Sequence, residues 1–227
     1  MIRISSYRLV LLIATAGLFS QTLYAVTNQK KLWSYLGLTG RRGDFSYLLE
    51  PELRLRAQPR HFDQFRTNMS GGYHFSSQWS TWLSTIWSTD LTNAGLRFQE
   101  TRIWQQISYE TATYPINFLV RSRIEERVRN NSEQWNYRLR QRFTINKALT
   151  ATINLVLYDE LFINFNRPHW VATKTLAQNR ASIGINQQAS DLLNLGIGYI
   201  NQAVFSRQRE DNHVVTLHVQ ITFPAVS

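Results

Sequence analysis

Residues 118–143 read FLVRSRIEERVRNNSEQWNYRLRQRF, two segments in which arginine returns at every second position. Arg121, Arg123 and Arg127 share one parity with Glu125, and Arg138, Arg140 and Arg142 share one on the second segment. In an extended chain successive side chains point to opposite faces, so each charged set falls on one face of a strand, whereas a helix would scatter it. The opposite parity carries Phe118, Val120, Ile124 and Val128, then Trp135, Tyr137, Leu139, Phe143 and Ile145. Each segment is therefore a strand with one apolar and one charged face.

The same alternation runs along nearly the whole chain. It predicts strands near 33–39, 45–57, 62–75, 79–89, 96–109, 116–128, 135–145, 151–162, 176–187, 193–203 and 214–223, with no helical periodicity. Many exceed ten residues, longer than the ~5–6 common in soluble sheets and suited to the ~9–11 that cross a bilayer at a tilt. Aromatic residues such as Tyr47, Tyr73, Trp87, Tyr109, Trp135 and Tyr199 suit interfacial girdles. Connections alternate between tight (RRGD, FSSQ, NK, QQASD) and longer (DLTNAG, the stretch around NFNRPHWVATK, SRQREDN), with TATYP and RNNSE between. A soluble sandwich also alternates, with its arginines in water; strand length and the N-terminal leader favour a membrane barrel. The expected fold is all-β, an antiparallel up-and-down transmembrane β-barrel. Because such barrels have even strand numbers, ten or twelve are expected: either the segment near Trp33 does not span, or one strand is hidden. Arg42-Gly43-Asp44 matches an adhesion tripeptide but reads as an ordinary tight turn.

The leader is MIRISSYR, then LVLLIATAGLF, then QTLYA, the charged, apolar and cleavage-region order of a signal peptide. Cleavage after Ala25 separates residues 1–25 from a single domain, 26–227. Removing Arg3 and Arg8 takes the basic count from 25 to 23 against 15 acids, a mature charge of +8. Export argues against nucleic acid as the reason for that charge. Zero cysteines exclude disulfides and thiolate metal sites. The expected location is the outer membrane of a Gram-negative bacterium. The expected partners are outer-membrane lipids including lipopolysaccharide, the barrel assembly machinery and, in one reading, a small anion. Oligomeric state is left open.

Lysine occurs after the leader only at Lys30, Lys31, Lys147 and Lys174, at strand ends or in connections, whereas arginine is interior to strands. A guanidinium pairs with carboxylates through a planar fork at modest dehydration cost, so confined charge favours arginine. If the apolar face meets lipid, parity turns inward Arg54, Arg56, Arg66, Arg102, Arg121, Arg123, Arg127, Arg138, Arg140, Arg142 and Arg180, with Glu50, Glu52, Glu100, Glu125 and Glu160. Eleven against five leaves +6, so some guanidiniums must share a carboxylate, bond to Gln178, backbone or water, or remain available to an anion. Arg-Glu ladders filling a narrow interior make a structural or surface-interaction barrel. Unpaired arginines would make a narrow anion-preferring channel. A third reading, a lipid-modifying enzyme, rests on His218 or an inward glutamate. The other histidines, His61, His74, His169 and His213, lie in loops or singly on strands, and no GxSxG, HExxH or paired-His spacing occurs. No catalytic residue, metal ligand or cofactor is expected.

Laid out on these strands, ETRIWQQ (100–106), RSRIEERV (121–128), YRLRQRF (137–143), YDELF (158–162), AQNRASIGI (177–185) and LGIGY (195–199) resemble the bacterial family called domain of unknown function 2490. The resemblance covers nearly the whole mature chain and implies an exported outer-membrane β-barrel, with no substrate or catalytic residues. It carries over Glu100, Arg102, Arg121, Arg123, Glu125, Arg127, Arg138, Arg140, Glu160, Gln178, Asn179 and Arg180 as motif positions without an assigned role. One departure is at the end, where Phe223 is followed by Pro-Ala-Val-Ser instead of closing the chain as the terminal aromatic read in assembly.

Overall fold

The computed structural model describes residues 27–57, 61–91, 97–111, 113–171 and 174–224; the expected leader lies outside the described residues. Among these, eleven strands follow one another: β1 Thr27–Arg42, β2 Phe45–Arg56, β3 His61–His74, β4 Trp79–Leu91, β5 Arg97–Glu110, β6 Ile116–Arg129, β7 Asn136–Ala148, β8 Ile153–Asn164, β9 Leu176–Gln188, β10 Leu193–Val204 and β11 Glu210–Thr222. Each pairs antiparallel with the next, and β1 closes the sheet against β11.

The closure corrects the expectation of ten or twelve strands. With eleven, the first and last run in the same direction, and β1 and β11 pair in parallel over thirteen positions, from Thr27↔Glu210 to Thr39↔Thr222. A parallel ladder removes the sheet edges as completely as an antiparallel one, so closure does not require an even count. The segment near Trp33 is a full strand of 16 residues.

Parity sorts the two faces. Leu49 and Leu53 of β2, Ile103 and Ile107 of β5, Ile183 and Ile185 of β9, and Val215, Leu217 and Val219 of β11 stand exposed on the outer face. Turned inward and buried are Glu52, Arg54, Glu100, Arg102, Glu125, Arg138, Arg140 and Glu160. The apolar core beside the parallel seam is small: Trp33, Ile200 and Val214, with Tyr35 and Tyr158 packed against them.

The two rims differ. One carries the longest connection, between Asn164 and Leu176; the other carries the tightest, the two-residue hairpin between Arg42 and Phe45. Gly43 makes that hairpin possible with φ +57°, a left-handed conformation at the first turn position that suits glycine. Two further glycines are covered by aromatic rings across the strand pair: Gly40 stands opposite Tyr47 and Gly72 opposite Trp82. A Cβ on Gly72 would lie 2.5 Å from the Trp82 ring.

Candidate functional site: the luminal charge network

The even positions of β2 to β5 and of β7 to β11 and the odd positions of β1 and β6 face inward, so side chains from neighbouring strands meet in layers across the lumen. Glu100 and Glu125 are wholly buried, and Glu160 is 1 % exposed. Each gathers several guanidiniums. Glu100 accepts from Arg102 at 2.5 Å, from Arg127 through two parallel bonds of 2.8 and 3.0 Å, and from Arg129 at 3.1 Å. Glu125 accepts from Arg138 Nε at 3.0 Å and Arg140 Nη1 at 2.8 Å. Glu160 accepts from Arg140 Nη2 at 2.8 and 3.0 Å and from Arg121 at 2.5 Å, with Arg180 at 4.0 Å. Glu52 forms a smaller unit with Arg54 at 2.5 Å and Arg66 at 2.9 Å. Arg140 thus bridges two carboxylates on opposite neighbours, β6 and β8.

Aromatic rings carry guanidiniums as well. Arg54 lies 3.8 Å over Trp33, Arg123 lies 3.5 Å over Trp104 and Arg142 lies 3.5 Å over Tyr158. Arg138, Arg140 and Arg180 surround Phe162 at 5.0, 4.6 and 4.5 Å. Such stacking offsets part of the cost of burying a cation. Parity alone missed these rings, although Trp104 shares its parity with Arg102 and Gln106, and Phe162 with Glu160.

The half of the lumen near the long connection is filled. Asn136, Asn164, Gln202 and Asn212 are buried there beside Glu100, Arg127 and Arg138. The β8–β9 connection folds over this rim: Asn166 accepts from Asn136 Nδ2 at 3.0 Å through its backbone carbonyl, and Trp170 donates to the Gln134 carbonyl at 3.2 Å. The Trp170 ring lies 4.9 Å from Arg129 and 5.2 Å from Arg127. At the same rim Lys31 pairs with Asp63 at 3.2 Å, and Arg56 donates to the Leu91 carbonyl at 2.7 Å.

The half near the short turns is roomier. A cavity of about 290 Å³ lies between the arginines of β6 and β7 and a wall of Ser182, Gly184, Gly196 and Gly198. Glu50, Tyr35, Tyr158 and His218 also line it, and the His218 ring lies 4.2 Å from Tyr35. Among the described residues Glu50 makes no ion pair, and neither do Arg123 and Arg142. Gln178 accepts from Gln202 at 2.9 Å, whereas Asn179 donates to Asp159 at 2.9 Å on the outer parity, away from the network. No group of three His, Asp or Glu side chains among the described residues is placed to hold a metal ion.

A family model described as protein of unknown function (DUF2490) matches residues 22–213. The chain belongs to that family. Among curated proteins and solved structures, nothing matches it. Family membership brings no activity with it, so the network itself has to carry the functional reading of this DUF2490 barrel.

Proposed function

We propose that this protein is an outer-membrane β-barrel of structural or surface-interaction type, braced from inside by its arginine-glutamate network. The observation that carries the reading is the partition of the closed sheet: exposed isoleucine, leucine and valine outside, buried Glu100, Glu125 and Glu160 with their arginines inside. A closed sheet leaves no unpaired backbone edge for hydrocarbon to meet, and its outer face is apolar as lipid requires. The filled half of the lumen favours bracing over through-conduction. With short turns on the periplasmic side, the rim covered by the β8–β9 connection faces outward and offers Trp170 and its neighbours to lipopolysaccharide or to another surface partner.

The test is fractionation of the expressed full chain, gel migration before and after boiling, and planar-bilayer recording of the refolded protein. Expected are recovery in the outer-membrane fraction, a heat-modifiable band and no stepwise conductance. Full recovery as a monodisperse protein without detergent would overturn the membrane reading, and steady anion-selective steps would replace bracing by conduction.

A further inference from the structure

Arg121 stands directly opposite Arg142, and Arg123 opposite Arg140, so β6 and β7 present a block of four guanidiniums. Like charges directly opposed repel, and a stable sheet has to neutralise such a block. Two carboxylates serve it, Glu160 through Arg121 and Arg140, and Glu125 through Arg140. Two members are left over. Arg123 gives Nε and Nη2 to a neutral acceptor, Gln106 Oε1, at 3.0 and 2.7 Å, and is only 9 % exposed. Arg142 stacks on Tyr158, and its Nε is buried without a hydrogen-bond partner among the described residues.

We propose that the cavity they line is a binding site for a small oxyanion, a phosphate or carboxylate group carried on a small molecule, held chiefly by Arg142 and Arg123. Both guanidiniums rest their faces on aromatic rings, which leaves for an oxyanion the N–H edge of Arg142 and the Nη1 side of Arg123, whose Nε and Nη2 are held by Gln106. A buried cation with no carboxylate in contact is costly, so a side chain that served only to brace would be paired or apolar. Among the described residues seven arginines and three glutamates line the cavity, a positive balance. Glycines and a serine on the facing wall make the room. At about 290 Å³ the cavity stands at the lower end of the ~300–1,000 Å³ of small-molecule sites, which limits the occupant to a compact molecule and excludes a whole acyl chain. Asn186 is shared with an open recess at the short-turn rim lined by Asn117, Asn146 and Asn154, a polar approach that favours a free anion over a headgroup held in the bilayer.

Isothermal titration of the full chain folded in a non-ionic detergent, at fixed chloride, reads the site without reference to the membrane proposal. The probes are inorganic phosphate and glycerol phosphate. Expected is saturable one-site binding, weakened about tenfold or more in Arg123→Gln and in Arg142→Gln but not in Arg97→Gln on the exposed start of β5. Because each lumen variant removes a surplus cation, both should fold; in phosphate-free buffer they should melt at or above wild type, and phosphate should raise the melting temperature of wild type alone. Protein in nanodiscs with and without phosphatidic acid separates the sources. Stabilisation by the anionic lipid alone, lost in both lumen variants, would keep the oxyanion site and assign it a headgroup. No saturable binding and no thermal shift with any probe, or shifts equal in wild type and both variants, would overturn the proposal.

Discussion

At Glu125 two guanidiniums compete for one wholly buried carboxylate, yet their situations differ. Arg140 also reaches Glu160, whereas Glu125 is the one carboxylate with which Arg138 pairs among the described residues. Replacing Glu125 by Gln therefore strands Arg138 at 5 % exposure. Stranding one member of a buried pair costs about 3–5 kcal/mol. In Arg140→Gln, Glu125 keeps Arg138 and Glu160 keeps Arg121, so the loss should be smaller, on the order of 1–3 kcal/mol for the hydrogen bonds removed. Thermal unfolding of the two variants in detergent should rank Glu125→Gln below Arg140→Gln; equal or reversed melting temperatures would show that carboxylates are not the scarce partners. Parity made the arginines and glutamates of this network legible because charge and hydrocarbon differ so sharply. It could not say which guanidinium goes unpaired, since Arg142 stands beside Glu160 in register yet leaves it to Arg140 and Arg121, a choice made by side-chain geometry in three dimensions.

Strands with strong two-faced chemistry were legible almost to their ends: β2, read as 45–57, spans Phe45–Arg56, and β9, read as 176–187, spans Leu176–Gln188. Near the rims, where both faces are polar, the period fades. Adjacent Lys30 and Lys31 hide the start of β1, and Glu-Asp-Asn-His hides the start of β11, so a seam of thirteen paired positions was legible only in part. Glycines posed a related difficulty, for a gap in the pattern at Gly72 is filled by a ring from the neighbouring strand. Gly72→Val should force the Trp82 indole off the β3–β4 pair and lower stability by about 1–3 kcal/mol through overpacking. Gly71→Val, at a position where an added Cβ meets no atom within 4 Å, should change the unfolding midpoint much less. If both variants melt alike, ring coverage is not what the glycine serves.

Over the whole molecule, the parallel seam is the feature that an even-stranded barrel lacks. Leu36 of β1 and Val219 of β11 are register partners, both facing outward, in a chain without cysteine. The double variant Leu36→Cys with Val219→Cys should form an intramolecular disulfide on mild oxidation, seen as a reductant-sensitive mobility change of the boiled protein. Leu36→Cys with Val215→Cys, four residues out of register, should not. Efficient cross-linking of the second pair, or of neither, would contradict the eleven-strand closure. Odd crossing also gives the barrel a polarity that no even-stranded one possesses. β1 sets out from the rim of long connections and β11 arrives at the rim of short turns, so Thr27 and Thr222 lie at opposite rims of the barrel. In a membrane such a chain is a single stitch: whatever is attached before β1 and whatever is attached after β11 occupy different compartments, and one folded barrel can tether a molecule on each side.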